Sequence, residues 1–169
     1  MYQPPGQITA ASLHEVTADE LPRVVFLRLI EVILKRDRDR AAQFAYVQSL
    51  SPGLQMLWGT TLLEEEVANG GFDQYFFNLS RCYADEAAAG LRLLDAPLHL
   101  ELLTEAVAAV RAVVPPGLSF RDPGWRQAYV SAGDVTALKT LTYRYGEAPP
   151  LDPAQAAYIQ RHPDQFLTD

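Results

Sequence analysis

Cysteine is almost missing from this chain: Cys82 stands alone among 169 residues, so no disulfide can close within it, and a reducing compartment fits. With no histidine patterned beside it, Cys82 reads as a small half-buried hydrophobe rather than a nucleophile. The three histidines, His14, His99 and His162, read as surface or structural residues. There is no His-Glu-x-x-His, Glu-x-x-His, Cys-x-x-Cys or Gly-x-Ser-x-Gly pattern and no glycine-rich phosphate loop, so the usual metal, nucleophile and nucleotide constellations are excluded. No catalytic residue, metal ligand or cofactor site is therefore assigned. Long apolar runs are lacking too. The greasiest stretch, Val24 to Leu34, is interrupted by Arg28 and Glu31 and falls short of the ~20 apolar residues that span a bilayer. The opening residues Met1 to Gly6 have neither a basic leader nor an apolar core, which argues against a signal peptide and for the cytoplasm. Positive charge is scarce: 14 basic residues face 21 acidic ones, a net charge of −7 with a pI near 4.9. That balance disfavours direct binding to nucleic acid or an anionic membrane and points to basic partners.

What is present is helix. With 49% hydrophobic residues, the chain is long enough to bury a proper core. The 3.6-residue periodicity, with no convincing strand and no repeat, predicts an all-α, single compact domain of about seven to nine helices over residues 17–169, after a tail at 1–16. Thr17-Ala18-Asp19-Glu20 has the form of a capping box for a helix from about Asp19 to Lys35. Lys35 to Arg40, interleaved with Asp37 and Asp39, reads as a solvated helix end, and Arg40 to Leu50 as the next helix. Ser51-Pro52 caps and opens a third. On it Leu54, Trp58, Thr61 and Glu65 share one arc, with Glu64 and Glu66 on opposite flanks, so the three glutamates cannot converge on one metal. Further helices are expected from Tyr83 to about Asp95, from Pro97 with Leu103, Val107, Val110 and Val114 inward, around Trp125 to Val130, from Asp134 to Tyr145 and from Asp152 to about Arg161.

The densest stretch of polar, glycine and aromatic residues is Glu64 to Asn78. A helix stops at Asn69-Gly70-Gly71, residues that tolerate a positive φ, and another starts at once with Phe72, Tyr75, Phe76 and Leu79 on one apolar face. Glu66, Asn69, Gln74 and Asn78 are expected to form a hydrogen-bonded lock across this corner. The residues Glu66-Val67-x-Asn69-Gly70-Gly71-Phe72-x-Gln74-Tyr75-Phe76-x-Asn78 resemble the signature of the DNA mimic protein family, of the nineteen-kilodalton neisserial type. The Ala/Leu-rich helix that follows and the closing Tyr158-Ile159-x-x-His162-Pro163-x-x-Phe166 share the likeness; Ala68 departs from it, where the family often has Asn. The resemblance implies an all-α fold and, for some members, an acidic surface that occupies the DNA site of a DNA-binding protein, hence a part in transcription regulation.

Charge placement adds to this from the residues themselves. Residues 61–110 hold nine acids against two bases, Arg81 and Arg92, and the rest of the chain holds twelve of each. The expected contact surface for a basic or DNA-binding protein is therefore Asp73, Asp85, Glu86, Glu101 and Glu105, with homodimer formation left open. The alternatives are an immunity-type regulatory protein using the same electrostatics, or an enzyme with a polar pocket at Glu65, Glu66, Asn69, Gln74 and Asn78.

Overall fold

The computed structural model describes residues 8–36 and 39–168, with side chains outside 34–38. Nine α-helices and two 3-10 turns, and no strand, make up the described residues. The fold is all-α. The helices are α1 (Ala10–His14), α2 (Leu21–Arg36), α3 (Arg40–Ser49), α4 (Pro52–Phe77), α5 (Ala84–Leu93), α6 (Pro97–Arg111), α7 (Trp125–Ala132), α8 (Ala137–Gly146) and α9 (Asp152–Arg161); the 3-10 turns are Leu79–Tyr83 and Pro163–Phe166. Residues 8–58 with 150–168 form one compact unit and residues 59–149 another, the boundary falling inside α4.

In the first unit α2 carries Val25, Phe26, Leu29 and Ile33 into the core, packing against α3 and α9. Ser51 caps α4 as its sequence implies, its Oγ accepting from Leu54 N–H at 3.3 Å and donating to the Gln165 carbonyl. Two expectations change here. Thr17 and Glu20 do not make a capping box: the Thr17 hydroxyl donates to the Glu20 carboxylate at 2.6 Å, side chain to side chain. The box forms earlier, where the Thr9 hydroxyl accepts from Ser12 N–H and Ser12 Oγ accepts from Thr9 N–H. The described part of the expected tail is accordingly built into the unit. Ile8 is buried, its N–H donates to Thr168 Oγ1 at 2.8 Å, and its carbonyl accepts from Thr168 N–H at 3.0 Å. An apolar Ile8 that closes a backbone pair with the far end of the chain cannot be a solvated tail. Residues 1–7, the basic-cluster positions Asp37 and Arg38, and the side chains of Lys35 and Arg36 lie outside what is described.

In the second unit α6 lies between α5 and α8. Its buried face is His99, Leu102, Leu103, Ala106 and Val110; Val107 is only half-buried, one position off the expected stripe. Gly59 lets the α4 backbone approach α5, because a Cβ there would sit 2.8 Å from the Glu86 carbonyl carbon. The α5–α6 corner closes with Ala96 N–H on the Leu91 carbonyl at 3.0 Å and with Asp95 at φ 52°, a left-handed position more often held by glycine or asparagine.

Candidate functional site

The corner inside α4 is made by two glycines. Gly70 (φ −153°, ψ 18°) leaves the helix and Gly71 (φ 76°, ψ −176°) takes a conformation essentially closed to residues with a Cβ. A Cβ at Gly71 would also come within 2.8 Å of Thr142 Oγ1. The same hydroxyl accepts from Phe72 N–H at 3.0 Å, satisfying a donor that the interrupted helix leaves without an intrahelical partner. Beyond the corner Phe72, Tyr75 and Phe76 are fully buried, and Phe72 meets Tyr145 edge-on at 5.5 Å. Leu79, expected on that face, is 42% exposed, because the α-helix ends at Phe77 and the backbone tightens into a 3-10 turn.

Across this corner Glu66 gathers three donors. Its Oε2 accepts from Gln74 Nε2 at 2.7 Å and from Asn78 Nδ2 at 2.8 Å, and its Oε1 accepts from Ser80 Oγ at 2.7 Å. Asn69, expected in the lock, is exposed, and Ser80 bonds the carboxylate in the place foreseen for it. Arg81, buried on the next turn, donates from Nε to the Phe120 carbonyl at 3.1 Å and from Nη1 to the Phe77 carbonyl at 3.1 Å and the Asn78 carbonyl. It thus covers carbonyls at the C-terminus of α4. Trp125 Nε1 donates to the neighbouring Phe76 carbonyl at 3.1 Å. Glu65 is exposed, and both oxygens of Glu66 already accept hydrogen bonds. Among the described residues no group of three or more His, Cys, Asp or Glu is placed to hold a metal ion.

The five acids expected on one contact surface separate into two groups. Asp73 is half-buried and accepts the Tyr129 hydroxyl on Oδ1 at 2.9 Å. Burial, with that carboxylate alongside, pushes the Tyr129 phenol well above its ordinary range. Glu86 is buried at 6% exposure, with Arg121 Nη2 3.4 Å from its Oε1, so it cannot belong to an open surface. Its place in the first turn of α5 does not fix its exposure, because an acid suits the helix dipole whether it faces water or core. Asp85, Glu101 and Glu105 are exposed. Each has an arginine nearby. Arg121 Nη2 is 4.0 Å from Asp85, while Arg144 on α8 places Nη2 2.9 Å from Glu101 and Nη1 3.1 Å from Glu105. Glu101 and Glu105, like charges one helical turn apart, are therefore bridged. The unit of residues 59–149 holds twelve acids and seven bases, since Asp122, Asp134 and Glu147 and the bases Arg111, Arg121, Arg126, Lys139 and Arg144 join the nine acids and two bases of residues 61–110.

Cys82 is half-buried, its thiol donating to the Phe120 carbonyl at 3.3 Å, and it lines a small cavity of about 140 Å³ with Asp85, Arg111, Ser119 and Arg121. His99 is buried edge-on to Tyr145, and loss of water holds its imidazole below the ordinary value. No helix among the described residues is long and apolar enough to cross a membrane.

A family model described as DMP19-like protein matches residues 48–162, which take in the glycine corner, the Glu66 lock and both acid-bearing helices. No curated protein and no solved structure matches the chain.

Proposed function

The chain belongs to the DMP19-like protein family, and from that premise we propose that it is a non-enzymatic acidic binding protein of the cytoplasm, a DNA mimic that occupies the DNA site of a basic, DNA-binding protein. The observation that carries the reading is the run of exposed carboxylates on α5, α6 and the corner between them: Asp85, Asp95, Glu101 and Glu105. Asp85, Glu101 and Glu105 project from helices in contact with one another and Asp95 from the short corner that joins them, so their spacing is largely set before a partner arrives. Helical neighbours four apart lie ~5 to 6 Å from one another, on the scale at which a basic groove meets successive phosphates at ~3.4 Å per strand or more widely across a groove. The Glu66 lock and the glycine corner act at one remove. They set the direction in which the chain leaves α4 and so where α5 and α6 begin.

Binding by such a surface is steered by charge and weakens with salt, because exposed charges are screened within ~10 Å at 0.1 M. The test is capture of partners from the source cell on the immobilised chain across a salt series, with D85K, E101K and E105K combined as the control. Capture should fall steeply with salt and vanish in the triple variant while its helical spectrum is unchanged. Capture that survives both high salt and the charge reversals would sink the reading. Asp73 and Glu86 are left out of the variant because each is held inside the unit.

A further inference from the structure

Arg144 stands near the end of α8, which packs along α6, and its guanidinium lies across two carboxylates one helical turn apart. Nη2 is 2.9 Å from Glu101 Oε1 and Nη1 is 3.1 Å from Glu105 Oε2. Like charges at i and i+4 repel, and a planar fork with two outward N–H directions answers both at once, which a point-charge ammonium does less well. All three side chains remain open to water, Arg144 at 39%, Glu101 at 58% and Glu105 at 45%. Exposed pairs of this kind are weak, because water screens them and long side chains lose freedom in making them. The bridge is therefore strong enough to occupy the two carboxylates by default and weak enough for another cation to take its place.

We propose that Arg144 is a built-in competitor for the contact surface: it fills a seat on Glu101 and Glu105 that an arginine of the bound partner takes over. The proposal rests on the reading of the α5–α6 acids as that surface, and it adds the partner's chemistry and a limit on its binding. A partner that brings an arginine, with further contacts around it, displaces Arg144 into solvent and loses little in doing so. Scattered lysines gain less, since an ammonium does not reproduce the fork. Arg144 thus favours arginine-bearing surfaces and lowers attraction to diffuse positive charge. A mere tie between α6 and α8 would have no such effect on binding.

The probes are nona-arginine and nona-lysine peptides, titrated at low salt against the whole chain and its R144Q, R144K and E101K/E105K variants. R144Q should bind nona-arginine about two- to tenfold more tightly than the parent, the range set by two weak ion pairs, and with a steeper salt dependence. R144K should fall between them, and it carries the comparison should R144Q fail to fold. In the parent, nona-arginine should win over nona-lysine, and E101K/E105K should abolish the effect of R144Q. Unchanged or weaker binding by R144Q and R144K, with E101K/E105K still abolishing it, would overturn the competitor role and leave the surface reading intact. Binding untouched by E101K/E105K would remove the surface reading, and the competitor role with it.

Discussion

Replacing Asn78 by alanine tests whether the α4 corner is held by its carboxylate. The amide is one of three donors on Glu66 and shares Oε2 with Gln74, so its removal leaves that oxygen with one bond and the other oxygen on Ser80. A hydrogen bond to a charged group contributes about 1.5 to 3 kcal/mol. Glu66 is only half-buried, so water can replace part of the loss, and about 1 to 2 kcal/mol is expected for Asn78→Ala. For a chain of this length that corresponds to a fall of about 2 to 8 °C in Tm. Circular dichroism melts of the parent, N78A, E66A and the double variant measure it. E66A should cost more than N78A, because it leaves three donors without their acceptor. The double variant should cost less than the two single losses added together. Asn69→Ala, on the exposed side of the corner, should stay within about 0.5 kcal/mol of the parent. Were N78A and E66A to melt like the parent, the lock would contribute nothing to stability and its side chains would have to be explained by contact with something else.

Gly71→Ala should be among the most damaging single changes, by about 1 to 3 kcal/mol from the backbone alone, with the Thr142 contact in addition, and a denaturant titration within error of the parent would refute it. Asp95→Gly should raise stability by about 0.5 to 1 kcal/mol by relieving a left-handed residue that carries a Cβ; the same titration should show a later midpoint. Burial holds the His99 pKa in the folded chain below its unfolded value of 6.5, so the folded state binds fewer protons. The stability that depends on neutral His99 is complete above pH 6.5 and is lost as pH falls through and below that value. Melts from pH 8 to pH 5 should accordingly fall further for the parent than for H99L, and parallel curves would contradict the assignment.

The helices were legible because their caps and periodicity are local: Ser51-Pro52, Asn69-Gly70-Gly71 and Pro97 mark boundaries that no distant contact overrides. The Gln74 and Asn78 side of the lock was legible for the same reason, since a four-residue spacing puts both amides on one side of the turn. Ser80 was missed because the chain tightens into a 3-10 turn after Phe77 and rotates that hydroxyl toward Glu66. The acidic surface was misjudged in a different way. Charge counted along residues 61–110 cannot register Arg121 and Arg144, which come from later in the chain and meet the acids only after folding. Nor does an acid in the first turn of α5 say whether it faces water, as Asp85 does, or the core, as Glu86 does. Proximity to the basic partner in space, not in sequence, decides which carboxylates remain for a second protein.

Displacement of DNA bears most directly on the mimic reading. A DNA-binding protein retained by the immobilised chain should be bound to its own labelled DNA and titrated with the parent chain and with the D85K/E101K/E105K variant. Release of the DNA by the parent at stoichiometric amounts, with none by the variant, is the predicted result. A ternary complex in which DNA and this chain are held together, or equal release by the variant, would show that the acids on α5 and α6 do not stand in for phosphates.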